Sequence, residues 1–486
     1  MEWLLLLVYG IFIIFLFFYS LTQLHLVLLS HQYRSQASSL ALPADESTWP
    51  PVTVQLPVYN EKYVIERLIH AVAAFQYPAD KLEIQVLDDS NDETTDLAQA
   101  LAEKYRAQGL NLQVIRRPQR EGYKAGALGY GLNQAKGDFF AIFDADFVPP
   151  PDFLLKTLPH FQDPQVGLVQ TRWEHLNQDY SLLTHLQAFA LNAHFFVEQS
   201  GRRAGRHFLN FNGTGGVWRK ACIEDAGGWQ SDTLTEDLDL SYRAQLKGWK
   251  FEYRPDIGTP AELPVEMNAL KSQQYRWTKG AAECARKHLK KVLSAKDLPF
   301  ISKIHAFFHL ANSFVFISVL MLALLSLPIL WVKNTLPQYQ FWFQLASFFL
   351  LSFGILGLFY GTSEWRQLAG RFRFFPFLRR FLLFLSLSMG LSLHNALAVA
   401  EGYLGRKSPF VRTPKFNIQK RQDHWRSNVY RVSLLSPLTF LEAFLTLYFV
   451  GGLGMAFYFG DFGLFPFHLL LAFGFGYIVF YTWYHS

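Results

Sequence analysis

The apolar positions of this chain fall into three regimes. From Trp3 to Leu29 nearly every position is Leu, Ile, Phe, Val or Tyr, a run long enough to span a bilayer. It lacks the basic start and small-residue cleavage site of a signal peptide, which predicts a retained helix. Arg34 follows it with no positive side chain before it, which puts the N-terminus outside.

The second regime follows a linker, Ser38 to Pro51. Short apolar runs at Val52–Val58, Glu83–Leu87, Leu112–Ile115 and Asp138–Phe143 alternate with helical patterns at Tyr63–Phe75, Thr94–Ala107 and Ala125–Gln134. That rhythm predicts an α/β domain with a mostly parallel sheet covered on both faces. Beyond Pro149 the pattern loosens into Gln170–Trp173, a helix over about Tyr180–Gln199 and the glycine-rich loop Phe211–Gly216. A basic amphipathic segment, Lys271 to Lys303, carries nine Lys/Arg against two acids and predicts a helix at a membrane surface.

In the third regime, apolar runs at Ile304–Val332, Phe341–Tyr360, Leu434–Phe459 and Leu464–Tyr484 each suffice for a span. A fifth run, Phe381–Ala400, is diluted by Ser386, Ser388, Ser392, His394 and Asn395. It lies between Trp365–Arg380, with five Arg, and Glu401–Arg431, with eight Lys/Arg. A full crossing there would put one basic segment outside, so the run is predicted to lie in the interface or re-enter. With the N-terminal helix the count is five spans, and all basic segments and the large domain share the cytoplasmic side.

Composition agrees with a membrane protein: half of the 486 residues are hydrophobic and 17% are aromatic. The net charge of +6 gathers beside the apolar runs, where it anchors lipid headgroups rather than nucleic acid. Cys222 and Cys284, far apart, argue against a disulfide framework or a zinc site.

In such sheets ligands gather beyond the carboxyl ends of the strands. The residues there are Pro57-Val58-Tyr59-Asn60-Glu61, Asp88-Asp89 and Asp144-Ala145-Asp146. Asp144 and Asp146, two apart, predict a shared divalent cation, Mg2+ or Mn2+, completed by the oxygens of a nucleotide diphosphate; the bland alternative is a solvated turn. Asp88 and Asp89 suit contact with a base or ribose, or capping of the next helix. Lys124, opening a helix, suits a diphosphate. Asp237 is the candidate general base, with Glu236 beside it in the catalytic set; its alternative role is to cap a helix starting near Leu238. Gln273 and Arg276 suit leaving phosphates, or a solvated helix face. Trp277 suits stacking on a sugar, or anchoring at the interface. Gly126, Gly129 and Gly131 form no dinucleotide fingerprint, and no Walker sequence occurs.

Taken together, Asp88/Asp89, Asp144-x-Asp146, Thr235-Glu236-Asp237 and Gln273-Gln274-Tyr275-Arg276-Trp277 resemble the family 2 processive glycosyltransferases of the cellulose synthase superfamily. The Arg120–Leu128 segment looks most like the cellulose synthase-like A and C branches and their bacterial relatives. Phe410-Val411-Arg412-Thr413-Pro414-Lys415 is similar to a gating-loop motif, with Arg412 where Val is typical. The resemblance implies a GT-A fold, a UDP- or GDP-sugar donor such as UDP-glucose or GDP-mannose, and inverting transfer with Asp237 as base. Pro57, Tyr59, Glu61, Asp88, Asp89, Lys124, Asp144, Gln273 and Arg276 are then expected on the donor side. Phe211, Gly213, Thr214, Gly215 and Trp277 are expected at the acceptor, with Phe410, Thr413 and Lys415 in the gating loop.

The expected partners are a nucleotide sugar, a glycan acceptor, the bilayer and export proteins, in a bacterial inner or Golgi-like membrane. The domain division is 1–30 first span, 31–51 linker, 52–262 GT-A domain, 263–303 interface helices, 304–361 span pair, 362–432 basic segment and 433–486 last span pair. No PilZ-like domain is expected. The activity expected is synthesis and export of a β-linked polymer; the alternatives are single-sugar transfer to a lipid, and a transporter or receptor that merely binds nucleotide sugars.

Overall fold

The computed structural model describes residues 2–32, 40–420, 422–425, 428–430 and 436–485. Residues 33–39 of the predicted linker, Arg34 among them, lie outside the described residues, as do Arg421, Arg426 and Arg431 of the basic segment.

Seven strands build the central sheet: β1 (Val52–Val58), β2 (Leu82–Asp88), β3 (Asn111–Ile115), β4 (Phe139–Ile142), β5 (Val166–His175), β6 (Gly216–Arg219) and β7 (Lys250–Ala261). Their order is β3-β2-β1-β4-β6-β5-β7. All pairings are parallel except those of β6, which runs antiparallel to β4 and β5. The first four strands are the four apolar runs of the sequence, and β1 has the predicted limits. The last three were not predicted, because each mixes polar and apolar positions and pairs with strands distant in the chain.

Strand alternation divides two cores between the sheet faces. Phe139, Ala141 and Phe143 join Val54, Leu56, Ile65 and Leu68 on one face. Phe140 and Ile142 join Leu128, Trp218, Leu240 and Tyr253 on the other. On that second face β1 carries Gln55, whose amide donates to Gln85 Oε1 at 3.1 Å and to the Leu128 carbonyl at 3.3 Å. Helix Tyr123–Leu132 approaches so closely that a Cβ on Gly131 would sit 2.6 Å from Leu87 and 2.7 Å from Gln55. Packing is thus what requires glycine there.

The helix expected over Tyr180–Gln199 is shorter. It runs Leu182–Ala193, capped by Ser181, widens into a π-helical turn at His194–Gln199 and resumes at Ser200–Ala204.

Among the described residues, five helices are long and apolar enough to cross a bilayer: Glu2–Gln32, Phe314–Thr335, Pro337–Gln367, Pro437–Phe459 and Phe465–His485. The run expected as one span from Ile304 is divided, Phe300–Leu310 being separate from Phe314–Thr335. Phe374–Gly390 and Ser392–Leu404 meet at 50°, the geometry of a broken span or a re-entrant pair, where the polar dilution lies.

Helix Met267–Ser294 joins the domain to this bundle. Its basic face is not uniformly free to meet lipid headgroups. Lys271 is buried and donates to Glu442 at 2.7 Å, and Lys279 is buried and donates to Glu401 at 2.9 Å. Carboxylates supplied by later helices replace the predicted headgroups at these two positions.

Candidate active site

The carboxyl ends of β1, β2 and β4 open into one cavity, closed from the far side by helix Met267–Ser294 and the loop Phe410–Lys415. At the end of β1, the ring of Tyr59 lies under the Arg120 guanidinium at 3.4 Å. This cation–π pair sits beside Asp89, which Arg117 holds at 2.6 Å.

The two adjacent aspartates of β2 diverge. Asp89 lines the cavity. Asp88 is 1% exposed and accepts from the Ser90 N–H at 2.9 Å and from Thr95 Oγ1 at 2.7 Å. It therefore serves the start of helix Thr94–Arg106 rather than the expected donor contact.

Beyond β4 the chain leaves the extended form at Phe143, so Asp144 and Asp146 are presented by a turn rather than along one strand face. Both reach the cavity, and each carboxylate holds an ammonium: Lys124 at 2.5 Å from Asp144, and Lys415 at 2.6 Å from Asp146. Lys124 also donates to the Gly213 carbonyl at 2.8 Å and stands 4.0 Å from Glu236. Burial pulls its pKa down, but Asp144, Glu236 and Asp237 more than restore it, so it stays charged. The paired carboxylates, whose charge lysines now balance, fit a hard divalent cation.

Helix Glu236–Leu246 begins two residues earlier than expected. Asp237 accordingly lies in the first turn, not at the cap, and its Oδ1 accepts from the Leu238 N–H at 2.8 Å. A Cβ on Gly213, whose φ is +81°, would come within 3.0 Å of Asp237 Oδ2; glycine keeps that oxygen uncovered. Burial, with the charge of Glu236 added, raises the Asp237 pKa to about 7. Burial likewise raises Glu236, against the pull of Lys124. A carboxylate tuned to neutrality beside open space is suited to accept a proton.

Gln273, Arg276 and Trp277 project into the same cavity. The solvated-face alternative for Arg276 does not hold: its guanidinium covers the Phe410 ring at 4.5 Å and donates to Thr413 Oγ1 at 2.6 Å. Phe410 in turn stacks on Tyr123 at 5.5 Å. Arg412 pairs with the buried Glu61 at 2.7 Å, whose pKa burial raises to about 7. The loop is thus fastened to β1, β4 and the helix Met267–Ser294 together.

Of the expected acceptor loop, only Gly213 and its neighbour Asn212 line the cavity. Phe211 is fully buried against Trp218, Thr214 accepts from the Asp144 N–H at 2.9 Å, and Gly215 lies behind them. These three shape the wall rather than face a ligand. The sequence reading did not select Arg120, Arg412, Trp173, His175 or Glu262, all of which line the cavity. Arg120 and Arg412 stood inside motifs already singled out; Trp173 and His175 lie on the unpredicted β5, and Glu262 follows β7.

The fold this geometry defines is an α/β domain of GT-A type. A family model described as "Glycosyltransferase like family 2" matches residues 50–280. The chain is 44% identical over 279 residues to the probable glucomannan 4-beta-mannosyltransferase 3 of Oryza sativa subsp. japonica, covering 56% of this chain and 50% of that one. It is 37% identical over 330 residues to the glucomannan 4-beta-mannosyltransferase 7 of Arabidopsis thaliana, covering 66% and 58%. The chain thus spans about half the length of the curated relatives it matches. Among solved structures, the mannosyltransferase PcManGT from Pyrobaculum calidifontis in complex with GDP-Man and Mn2+ shares the fold. The TM-score is 0.57 at 20% identity, over 83% of this chain and all of that one. Residues 50–280 are thus similar to a glycosyltransferase family 2 domain.

Proposed function

We propose that this chain is a membrane-embedded inverting hexosyltransferase that extends a β-linked polysaccharide from a nucleotide-diphosphate sugar. The observation that carries the reading is the setting of Asp237: a half-buried carboxylate with its pKa raised to about 7, in one cavity with Lys124, Asp144, Arg276 and Trp277. In the transfer, an acceptor hydroxyl oxygen bonds to the anomeric carbon as the bond from that carbon to the diphosphate oxygen breaks. The hydroxyl proton passes to Asp237, and the nucleoside diphosphate leaves with the bonding electrons.

Arg276 and Lys124 are the cations positioned to hold the diphosphate. Asp144 and Asp146 would hold Mg2+ or Mn2+, which neutralises charge on the leaving group when bound. Tyr59, Arg120 and Asp89 form the wall suited to the nucleoside, and Trp277 presents an indole to the acceptor sugar. Loop Phe410–Lys415 closes the cavity from water.

The names of the relatives favour a mannosyl donor, GDP-mannose, over UDP-glucose. The polymer would leave through the helical bundle, with the domain on the cytoplasmic side.

The test incubates membranes carrying the chain with labelled GDP-mannose, UDP-glucose and UDP-N-acetylglucosamine separately, followed by linkage analysis of insoluble product. Polymer containing β-linked mannose from GDP-mannose is expected. Label found only in a lipid extract as single sugars would replace polymer extension with single transfer, and no incorporation from any donor would overturn both.

A further inference from the structure

Away from the cavity, three imidazoles from distant parts of the chain meet where the N-terminal helix abuts the domain. His25 lies in the last two turns of Glu2–Gln32, His207 just beyond helix Ser200–Ala204, and His305 within Phe300–Leu310. His25 Nδ1 and His305 Nε2 are 2.7 Å apart, and the rings of His207 and His305 stack at 4.0 Å. One nitrogen from each of the three lies within 4.8 Å of the others. His207 is 6% exposed and His305 is 1% exposed.

A bland account would make these histidines polar filler, each satisfied by its neighbours. The hydrogen bonds do not close that way. His207 Nδ1 is taken by Ser302 Oγ at 3.0 Å, while His207 Nε2 is buried with no hydrogen-bond partner among the described residues. Leaving a buried ring nitrogen unpaired is costly.

We propose that His25, His207 and His305 form a binding site for a divalent transition metal of the imidazole-seeking class, with Zn2+ as its representative, which clamps the N-terminal helix to the catalytic domain. Three nitrogen ligands suit Zn2+, Cu2+, Ni2+ or Co2+ and disfavour the hard ions that fit Asp144 and Asp146. Metal–nitrogen distances of about 2.0–2.1 Å set ligand nitrogens roughly 3.3 Å apart in a tetrahedron. The close His25–His305 pair must therefore part slightly on loading, and the stacked His207 ring must tilt toward them. A hydrogen bond donated by His207 Nδ1–H to Ser302 Oγ is the kind that orients an imidazole ligating through Nε2. The neighbouring cation, Arg202, does not oppose a metal with a free charge, since Glu198 holds it at 2.8 Å.

The backbone already fixes two of the three ligating segments. A Cβ on Gly201 would meet the Leu26 carbonyl at 2.5 Å, so the N-terminal helix and the segment before His207 touch main chain to main chain. The metal would add His305 and turn this contact into a three-way clamp.

The test uses the full chain in detergent, purified through a tag free of histidine, stripped with chelator and dialysed against Co2+ or Zn2+ with Mg2+ in excess. One transition metal per chain is expected, with the absorption of Co2+ in a nitrogen-ligated tetrahedral field. His207→Ala and His305→Ala should lose it, while Asp144→Asn/Asp146→Asn should keep it. Metal retained by His207→Ala and His305→Ala alike, or lost only in the aspartate variant, would overturn the assignment. Should the histidine variants fail to fold, the native chain still decides: no Co2+ or Zn2+ retained, or no tetrahedral Co2+ spectrum, rejects the site.

Discussion

Lys415 crosses 269 residues of sequence to set its ammonium 2.6 Å from the carboxylate of Asp146. The same loop sends Arg412 to Glu61 and accepts Arg276 at Thr413. Loop and domain are therefore coupled through Asp146, one of the two carboxylates proposed to hold the cation, as well as through Glu61 and Arg276.

If Lys415 stands where a divalent ion would bind, removing it should ease entry of the ion. A hydrogen bond between charged groups is worth about 1.5–3 kcal/mol, so Lys415→Met should bind Mn2+ about tenfold more tightly without nucleotide. A titration followed by the EPR signal of free Mn2+ reads this directly; unchanged affinity would show that the lysine does not compete.

The pH dependence follows from Asp237. A base acts only when unprotonated, and its pKa is raised to about 7 by burial and by Glu236. The rate at low donor concentration should climb with pH and level off above about 7. Glu236→Gln removes one cause of the shift and should move the rising limb to lower pH. The stability sign is opposite: because the folded pKa lies above that of the unfolded chain, this group favours the fold when protonated. That contribution is complete below about pH 4 and is lost as pH rises through 7.

Asp239, two residues on, has the reverse fate. It is fully buried and accepts from His288 and Lys287 at 2.7 Å and from Arg243 at 2.8 Å. Burial alone would raise its pKa, yet these three partners hold it well below the ordinary aspartate value. Its contribution is therefore present above about pH 4 and is lost as pH falls below that. Asp239→Ala takes the shared buried carboxylate from Arg243, Lys287 and His288 between helices Glu236–Leu246 and Met267–Ser294, and should cost about 3–5 kcal/mol. Thermal unfolding in detergent should shift sharply downward.

Much of this site was legible because strand ends announce themselves. Val52–Val58 reads as a strand to the residue, and the aspartates after β2 and β4 follow from it. What the chain could not display was direction. Asp88 and Asp89 look equivalent in sequence, but successive residues leaving a strand face opposite ways, so one braces the turn before the next helix through Ser90 and Thr95 and the other meets the cavity. Phe211 and Thr214 belong to a motif expected at the acceptor, yet the packing of Trp218 and the Asp144 N–H turn them into the wall. Strands β5, β6 and β7 were invisible because their polar positions are balanced by partners far away, as Thr171 is by Thr259 at 2.7 Å. Lys271 and Lys279 likewise read as headgroup anchors until Glu442 and Glu401 are seen beside them.

The central claim is that Asp237 takes the acceptor proton, and Asp237→Asn tests it with the least disturbance of shape. Purified variant and native chain would be compared for donor affinity by calorimetry and for release of nucleoside diphosphate in the presence of acceptor. The account predicts turnover lowered by about 10²–10⁴-fold with donor affinity nearly unchanged. Turnover within a fewfold of the native rate would contradict it.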